Sequence, residues 1–208
     1  MEKIKHNKFK KNALFKRTDA AKGVAPLGKA LEIFTVKPIS NSEIILQPFR
    51  TEHISDFVVA VRESAGVWMP WSHKHYSEQE TTEWFESCQS NIEDKTAYDI
   101  GIFMVKENYF AGGISINQIK QHSNSGNVGY WVRRSLRNQG IALQAVELIK
   151  DFGFNTLSLT RLEIVVLTEN MVSRRIAEKS GAKFECIAEN RLIHNGEARP
   201  ATVYSLVP

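Results

Sequence analysis

Cysteine is nearly absent: Cys88 and Cys186 are the only two in 208 residues. Two thiols so far apart build no disulfide framework and show no metal-ligand spacing, so a reducing compartment is expected. Long apolar runs are missing too. None approaches the ~20 residues of a membrane helix, and no signal-peptide core appears, so a soluble, cytoplasmic chain with no membrane contact is expected. Histidine is scarce, with six residues. His73 and His75 lack a third or fourth Cys, His or Asp at matching spacing, so no metal is expected. Two phosphate-binding signatures are also absent, Gly-Lys-Ser/Thr and the three-glycine dinucleotide turn, which speaks against a nucleotide triphosphatase or a dinucleotide oxidoreductase.

Acidic charge is thin at one end. Residues 1–30 carry nine Lys/Arg against Glu2 and Asp19, a net +7, so within the whole-chain +4 the rest stands at −3. Residues 1–42 show no sustained periodicity and read as a basic, flexible arm, with the folded domain at 43–208. Such an arm has two readings: a weak contact with RNA or the ribosome through phosphates, or a solvated tail that aids solubility.

What is present centres on Arg137-Asn138-Gln139-Gly140-Ile141-Ala142. A strand-like run, Val128 to Val132, precedes it, and an amphipathic helical run, Ile141 to Phe152, follows. The first N–H groups of a helix have no internal partner, and the helix dipole adds partial positive charge there, which suits an anion. Gly140 lets backbone come close to a ligand, and Arg137 adds a fork of donors for phosphate oxygens. The reading is a pyrophosphate seat; the competing one is a plain turn. Farther on, Leu162 to Leu167 reads as a buried strand, and Glu169 to Ala182 as a helix closed by Gly181.

Taken together, Arg-x-x-Gly-x-Ala at 137–142 and Asn-x-x-Ser-x-x-x-x-Glu-Lys-x-Gly at 170–181 resemble the GNAT superfamily of acetyl-CoA-dependent N-acetyltransferases. The nearest likeness is to its RimJ/RimL branch, the ribosomal-protein N-terminal acetyltransferases. Gly-Tyr-Trp-Val at 129–132 and Trp-Met-Pro-Trp at 68–71 fit the same branch, and the resemblance runs from about Ile44 to Leu206. It implies a mostly antiparallel central sheet splayed between its two central strands, with helices on both faces. It also implies acetyl-CoA as cosubstrate, an amine acceptor, and a monomer or homodimer.

The rest of the chain reads as mixed α/β with one central sheet. Glu43 to Pro48 alternates as a first strand. Thr51 is expected to cap a helix over 52–63, and Ser77 to cap the next with Glu80 as its box partner. Between them lies the aromatic loop Gly66 to Tyr76. Tyr98 to Val105 and Tyr109 to Ile119 read as a hairpin, with a bulge or close approach at Gly112-Gly113. Ser115 and Asn117 share one face, either lining a groove or simply wet. Lys183 to Ala188 and Ala201 to Leu206 close the sheet.

By the resemblance, the cofactor arm lies between 128–132 and 162–168, with Val132 near the thioester oxygen. Arg137, Asn138, Gln139, Gly140, Ile141 and Ala142 then hold the pyrophosphate, and Asn170 ties down the wedge or, as a competing role, caps its helix. Ser173 stands where this branch carries the group that donates toward the sulfur; other branches use a tyrosine where this chain has Ala177. Trp71 and Tyr76 are marked for the acceptor wall, against simple core packing, and Asn117 and Asn127 for the acceptor side. Relatives often carry a carboxylate at the Asn127 position and an Asp at the Pro200 position. An asparagine accepts no proton at neutral pH, so Asp99 or Glu80 would have to act through water, or the amine must arrive partly neutral. An α-amine, with pKa near ~8 against ~10.4 for lysine, meets that need better. The expected activity is acetyl transfer to a protein N-terminal α-amine. The alternatives are a small-amine acetyltransferase for an antibiotic or polyamine, and a ribosome- or RNA-associated binding protein on the same scaffold with reduced catalysis.

Overall fold

The computed structural model describes residues 36–66, 68, 69 and 71–208. The basic arm therefore lies largely outside the described residues. Its last part does not: Val36 is buried in the main core, and Ile39–Ser40 (β1) pairs with Ile44–Gln47 (β2), so the sheet begins before Glu43.

The two open, in sequence, an eight-stranded sheet. The others are Tyr98–Met104 (β3), Tyr109–Lys120 (β4), Ser125–Val132 (β5), Arg161–Leu167 (β6), Lys183–His194 (β7) and Glu197–Leu206 (β8). Their spatial order is β1-β2-β3-β4-β5-β6-β8-β7, and every neighbouring pair is antiparallel except β5 with β6. Among the described residues four α-helices accompany it: Ile54–Ser64 (α1), Glu78–Glu93 (α2), Ile141–Asp151 (α3) and Met171–Lys179 (α4).

Alternation along the strands divides the core in two. Ile100, Ile102, Ile114, Ile116 and Val128 turn toward Ile141, Ala145, Val146 and Ile149 of α3. Phe103 and Phe110 turn the other way, toward Phe57, Val58 and Val61 of α1, with Trp84 and Phe85 of α2 beside them. Phe110 and Ile114 have the same parity yet serve opposite cores. The reason is a register shift: Phe103 faces Phe110 while Ile102 faces Gly112, so Ala111 is the extra residue of a bulge that re-aims the side chains. The expected close approach is there as well, since a Cβ on Gly112 would lie 2.2 Å from the Trp131 carbonyl oxygen.

Helix starts differ from expectation at one place. Thr51 is not a cap: it begins a 3-10 turn, Thr51–His53, and the Arg50 N–H is taken by His53 Nδ1 at 3.1 Å, with α1 following from Ile54. Ser77 behaves as read. Its Oγ accepts the Glu80 N–H at 3.2 Å, and Glu80 Oε2 accepts the Ser77 N–H at 2.9 Å.

Candidate active site

β5 and β6 pair only from Ser125–Asn127 to Arg161–Glu163. Beyond Asn127 the strands part, β5 continuing to Val132 against β4 and β6 continuing to Leu167 against β8. The inner edges of both strands therefore face a gap with no strand partner. Unpaired N–H and C=O groups on two facing edges form a slot for an extended chain bearing amides. A cleft of about 220 Å³ occupies this gap, walled by Gly129, Tyr130, Ile164, Val166, Asn170 and Ser173.

At the wide end of the gap the chain turns into α3. Asn138 and Gly140 both have positive φ, 64° and 77°, and Gly140 is the N-cap. The first hydrogen bond of the helix runs from the Gln144 N–H to the Gly140 carbonyl, which leaves the N–H groups of Gly140, Ile141, Ala142 and Leu143 without a helical partner. A Cβ on Gly140 would meet nothing within 4 Å, so the surface above it is open. The Arg137 Nε donates to the Val132 carbonyl at 3.2 Å, which fixes the guanidinium beside the turn. Val132 itself stands next to Arg137 and is not part of the cleft wall. These residues fit an extended thioester carrier ending in a diphosphate: a slot of unpaired backbone, then a helix start with free N–H groups and a neighbouring cation.

Past the parted end of β6, Asn170 Oδ1 accepts the Ser173 N–H at 3.2 Å, so the helix-capping role of Asn170 is real and coexists with its place in the wall. Ser173 is half-buried and lines the cleft. The sequence reading missed its companion. Tyr130, on β5, donates its hydroxyl to the Ser173 carbonyl at 3.1 Å. Burial pushes this phenol up to about 12, against the opposing Ser173 hydrogen bond, so it holds its proton. Ala177, where other branches carry tyrosine, is fully buried. The signal for Tyr130 lay in its position on the parting strand.

The aromatic loop divides its residues differently from expectation. Tyr76 is buried within the α1 core cluster and Arg62 Nε donates to its carbonyl at 2.7 Å, so it packs rather than lines the cleft. Trp71 is exposed and meets Trp131 edge-on at 5.9 Å. Trp68 reaches the cleft instead, with its ring 6.3 Å from that of His194 at the end of β7. Leu192 and Ile193 join His194 in that wall. The loop wall and the α3 turn are tied together: Ser135 donates its N–H and Oγ–H to Glu63 Oε1 at 3.1 and 2.9 Å, and the Arg134 N–H goes to Ser64 Oγ at 2.9 Å.

On the α1 side of the sheet, Asn127, Asn117, Ser115 and Asp99 come together. Asn127 and Asn117 are partners in register, as are Ser115 and Asp99. Burial pushes the Asp99 carboxyl up to about 6, with the hydrogen bond from Ser115 opposing. Glu80 stands elsewhere. Partial burial raises its carboxyl, but hydrogen bonds from His73 and Ser77 outweigh that and hold it below the usual range, so it is committed to capping α2. Among the described residues no cluster of His, Cys, Asp or Glu has the makings of a metal site, and no helix is long and apolar enough to cross a membrane.

Comparison with known proteins agrees with this geometry. The profile of the acetyltransferase (GNAT) domain matches residues 43–183. The chain is 32% identical over 109 residues to YjcK of Bacillus subtilis, described as a probable N-acetyltransferase, spanning 52% of this chain and 60% of that one. It is 26% identical over 127 residues to the ribosomal-protein-serine acetyltransferase of Escherichia coli, spanning 60% and 69%. In fold it superposes on a Salmonella typhimurium acetyltransferase that modifies the N-terminal serine of ribosomal protein L7/L12, with TM-score 0.74 and 19% identity over 83% of this chain and 99% of that one. A slot between parted strands that opens onto a glycine-capped helix start, within a matching profile over most of the chain, places this protein in the GNAT family of N-acetyltransferases, enzymes whose cosubstrate is acetyl-CoA.

Proposed function

We propose that the chain acetylates a protein N-terminal α-amine of the ribosomal-protein type by direct attack of the amine on the thioester. The observation that carries this reading is the gap between β5 and β6, whose wall holds Ser173 and Tyr130 and, among the described residues, no carboxylate. The amine nitrogen bonds to the acetyl carbon as the carbon–sulfur bond breaks. The thiolate takes a proton from the Ser173 hydroxyl, which recovers one from water, while Tyr130 bonds the Ser173 backbone carbonyl and holds that turn of the helix in place. The amine's surplus proton leaves to water.

The absence of a carboxylate in that wall favours an acceptor that is partly neutral at working pH. An α-amine near ~8 meets this need and a lysine near ~10.4 does not. The backbone edges of 128–132 and 164–167 are assigned to the pantetheine amides. Arg137 through Ala142 are assigned to the diphosphate, and Trp68, Trp71, Asn117 and Asn127 to the acceptor side. Contact between the basic N-terminal segment and ribosomal RNA belongs to the same reading, and salt-dependent RNA retention with and without residues 1–35 tests it.

The deciding measurement is free-thiol release from acetyl-CoA against peptides beginning with Ser, Ala or Met and against polyamines. Turnover with peptides, and mass spectra placing one acetyl group on the N-terminus, is the expected result. Turnover confined to polyamines would reject the peptide acceptor in favour of a small amine.

A further inference from the structure

Four side chains on the α1 face of the sheet form one directed chain. The Asn127 Nδ2 donates to Asn117 Oδ1 at 3.0 Å, and the Asn117 Nδ2 donates to Ser115 Oγ at 2.9 Å. Ser115 stands opposite Asp99 in register, and its hydroxyl is the group that offsets burial at the Asp99 carboxyl. Gly129, between them on β5, leaves the room. A Cβ there would lie 3.3 Å from Ser115 Oγ and 3.4 Å from Asn117 Nδ2. The far end is open: Asn127 Oδ1 is buried and has no hydrogen-bond partner among the described residues. A buried acceptor without a donor is costly unless a ligand or water supplies one.

The sense of the chain follows from its anchor. An ionised carboxylate accepts only, so Ser115 must give it the hydroxyl proton and take its own donor from Asn117. Asn117 then spends its nitrogen on Ser115 and offers its oxygen to Asn127, which spends its nitrogen in turn. The group of Asn127 left buried without a partner is its oxygen. Asn127 is the last β5 residue paired with β6, and Gly129, two residues on along the same face, lines the cleft, so that oxygen sits where the strands begin to part.

Resting on the acetyl transfer proposed above, we infer that Asn127 Oδ1 receives an N–H of the acceptor amine, and that Asp99 is the positioning residue that holds it in that sense through Ser115 and Asn117. Asn127 takes no proton; it orients the amine and favours the positive charge that develops on nitrogen as the bond forms. Protonation of Asp99 removes the anchor. A neutral carboxyl can donate to Ser115, the amides are free to reverse, and Asn127 then presents N–H groups that occupy the amine's lone pair instead of accepting its N–H.

The surroundings leave this titration to Asp99. From α2 the titratable group facing it is Cys88, whose thiol burial pushes up and keeps neutral. From β4 it is faced by Ser115, and no charged side chain adds to its shift. Facing Asn127 in register on β6 is Glu163, bonded to Arg161 at 3.1 Å and to Arg191 at 3.8 Å.

The test compares the full-length parent with Asp99→Asn and Ser115→Ala, each checked for a parental circular dichroism spectrum. Side-chain amide ¹⁵N–¹H signals of Asn117 and Asn127 are followed from pH 5 to 8. In the parent both should titrate near pH 6, and in Asp99→Asn both should be flat. In Ser115→Ala, Asp99 still titrates but Asn127 does not follow. Both variants should raise KM for a Ser-initiated peptide about tenfold, the weight of one hydrogen bond of ~1.4 kcal/mol, with KM for acetyl-CoA unchanged. The acid limb of kcat/KM near pH 6 should vanish in Asp99→Asn. Parent amides that fail to titrate, or variants with the parental peptide KM and acid limb, overturn the inference. If the parent acetylates no peptide, the acetyl-transfer reading fails separately. The Asn127 amide shift on adding that peptide with coenzyme A then decides, and no shift overturns the inference.

Discussion

The two ends of this site are built from different materials. The cofactor side is backbone: two strand edges that lose each other after Asn127 and Glu163, then a helix start whose N–H groups are released by Gly140 at φ 77°. The acceptor side is side chains gathered from afar: Asp99, Asn117 and Asn127 from three strands, Trp68 from a loop, and His194 from the end of β7. Backbone geometry of the first kind is written in a few adjacent residues. The second kind exists only once the sheet has assembled. A change to the backbone side should therefore abolish binding outright, whereas changes on the side-chain side should move acceptor kinetics in steps.

The largest expected effect is at Gly140. Forcing a residue with a Cβ to φ 77° costs about 1–2 kcal/mol. A glutamate there also sets a negative charge against the proposed diphosphate at a helix N-terminus. Gly140→Glu should raise KM for acetyl-CoA at least a hundredfold and remove the rise in Tm that acetyl-CoA gives the parent. A variant that keeps both would move the diphosphate away from this turn and erase the contrast between the two ends.

Next comes the pair Ser173 and Tyr130 in the cleft wall. Ser173→Ala and Tyr130→Phe should each lower kcat about ten- to a hundredfold, with KM for acetyl-CoA little changed, because proton donation acts in the transition state. The two losses should multiply in the double variant, since Tyr130 bonds the Ser173 backbone carbonyl, which Ser173→Ala leaves in place. A double variant no worse than the worse single one would show that Tyr130 acts through the Ser173 hydroxyl.

These residues also show what a sequence can and cannot convey. The turn at 137–142 and the Ser77–Glu80 box were legible because each rests on neighbours within a few residues, whereas the parting of β5 from β6 came only with the family resemblance. Ser173 entered through the family resemblance, and it lines the cleft. Tyr130 was hidden because its partner lies 43 residues away, and Asp99 was one guess of two until register set it against Ser115. Tyr76 misled for the reverse reason: an aromatic in a loop reads as a wall, yet the Phe57 cluster claims it. Thr51 failed as a cap because His53 supplies a ring nitrogen to the same end of the chain.

Asp99 gives a smaller effect that separates function from stability. Its carboxyl stands raised, about 6 against an ordinary 3.8, so ionisation is disfavoured in the folded state. The folded chain thus holds this proton more tightly than the unfolded one. The resulting cost is absent below about pH 4, grows through the interval and is complete above about pH 6. Asp99→Asn removes it and should raise Tm at pH 8, by on the order of 2 kcal/mol in stability, with the gain fading to nothing toward pH 4. A chain that becomes more stable while losing affinity for its acceptor has traded one for the other, as sites built for chemistry do. A lower Tm at pH 8 would mean that the Ser115 hydrogen bond outweighs burial.

The smallest effect should come from the cap of α2. Ser77 Oγ and Glu80 satisfy each other's N–H groups, and His73 leans on the same carboxylate at 3.0 Å. Ser77→Ala should cost about 1 kcal/mol and lower Tm by about 2–4 °C. KM for acetyl-CoA should not move, because α2 packs on β3 and the α1 cluster, away from the parted strands. KM for the amine is the sharper reading. If it rises with the loss of the cap, the loop from Ala65 to Tyr76 depends on the start of α2 for its shape, and the acceptor wall extends through His73 to that helix. If it holds steady, the wall ends at Trp68 and Trp71, and α2 serves only to bury Phe49 and Phe57 beneath it.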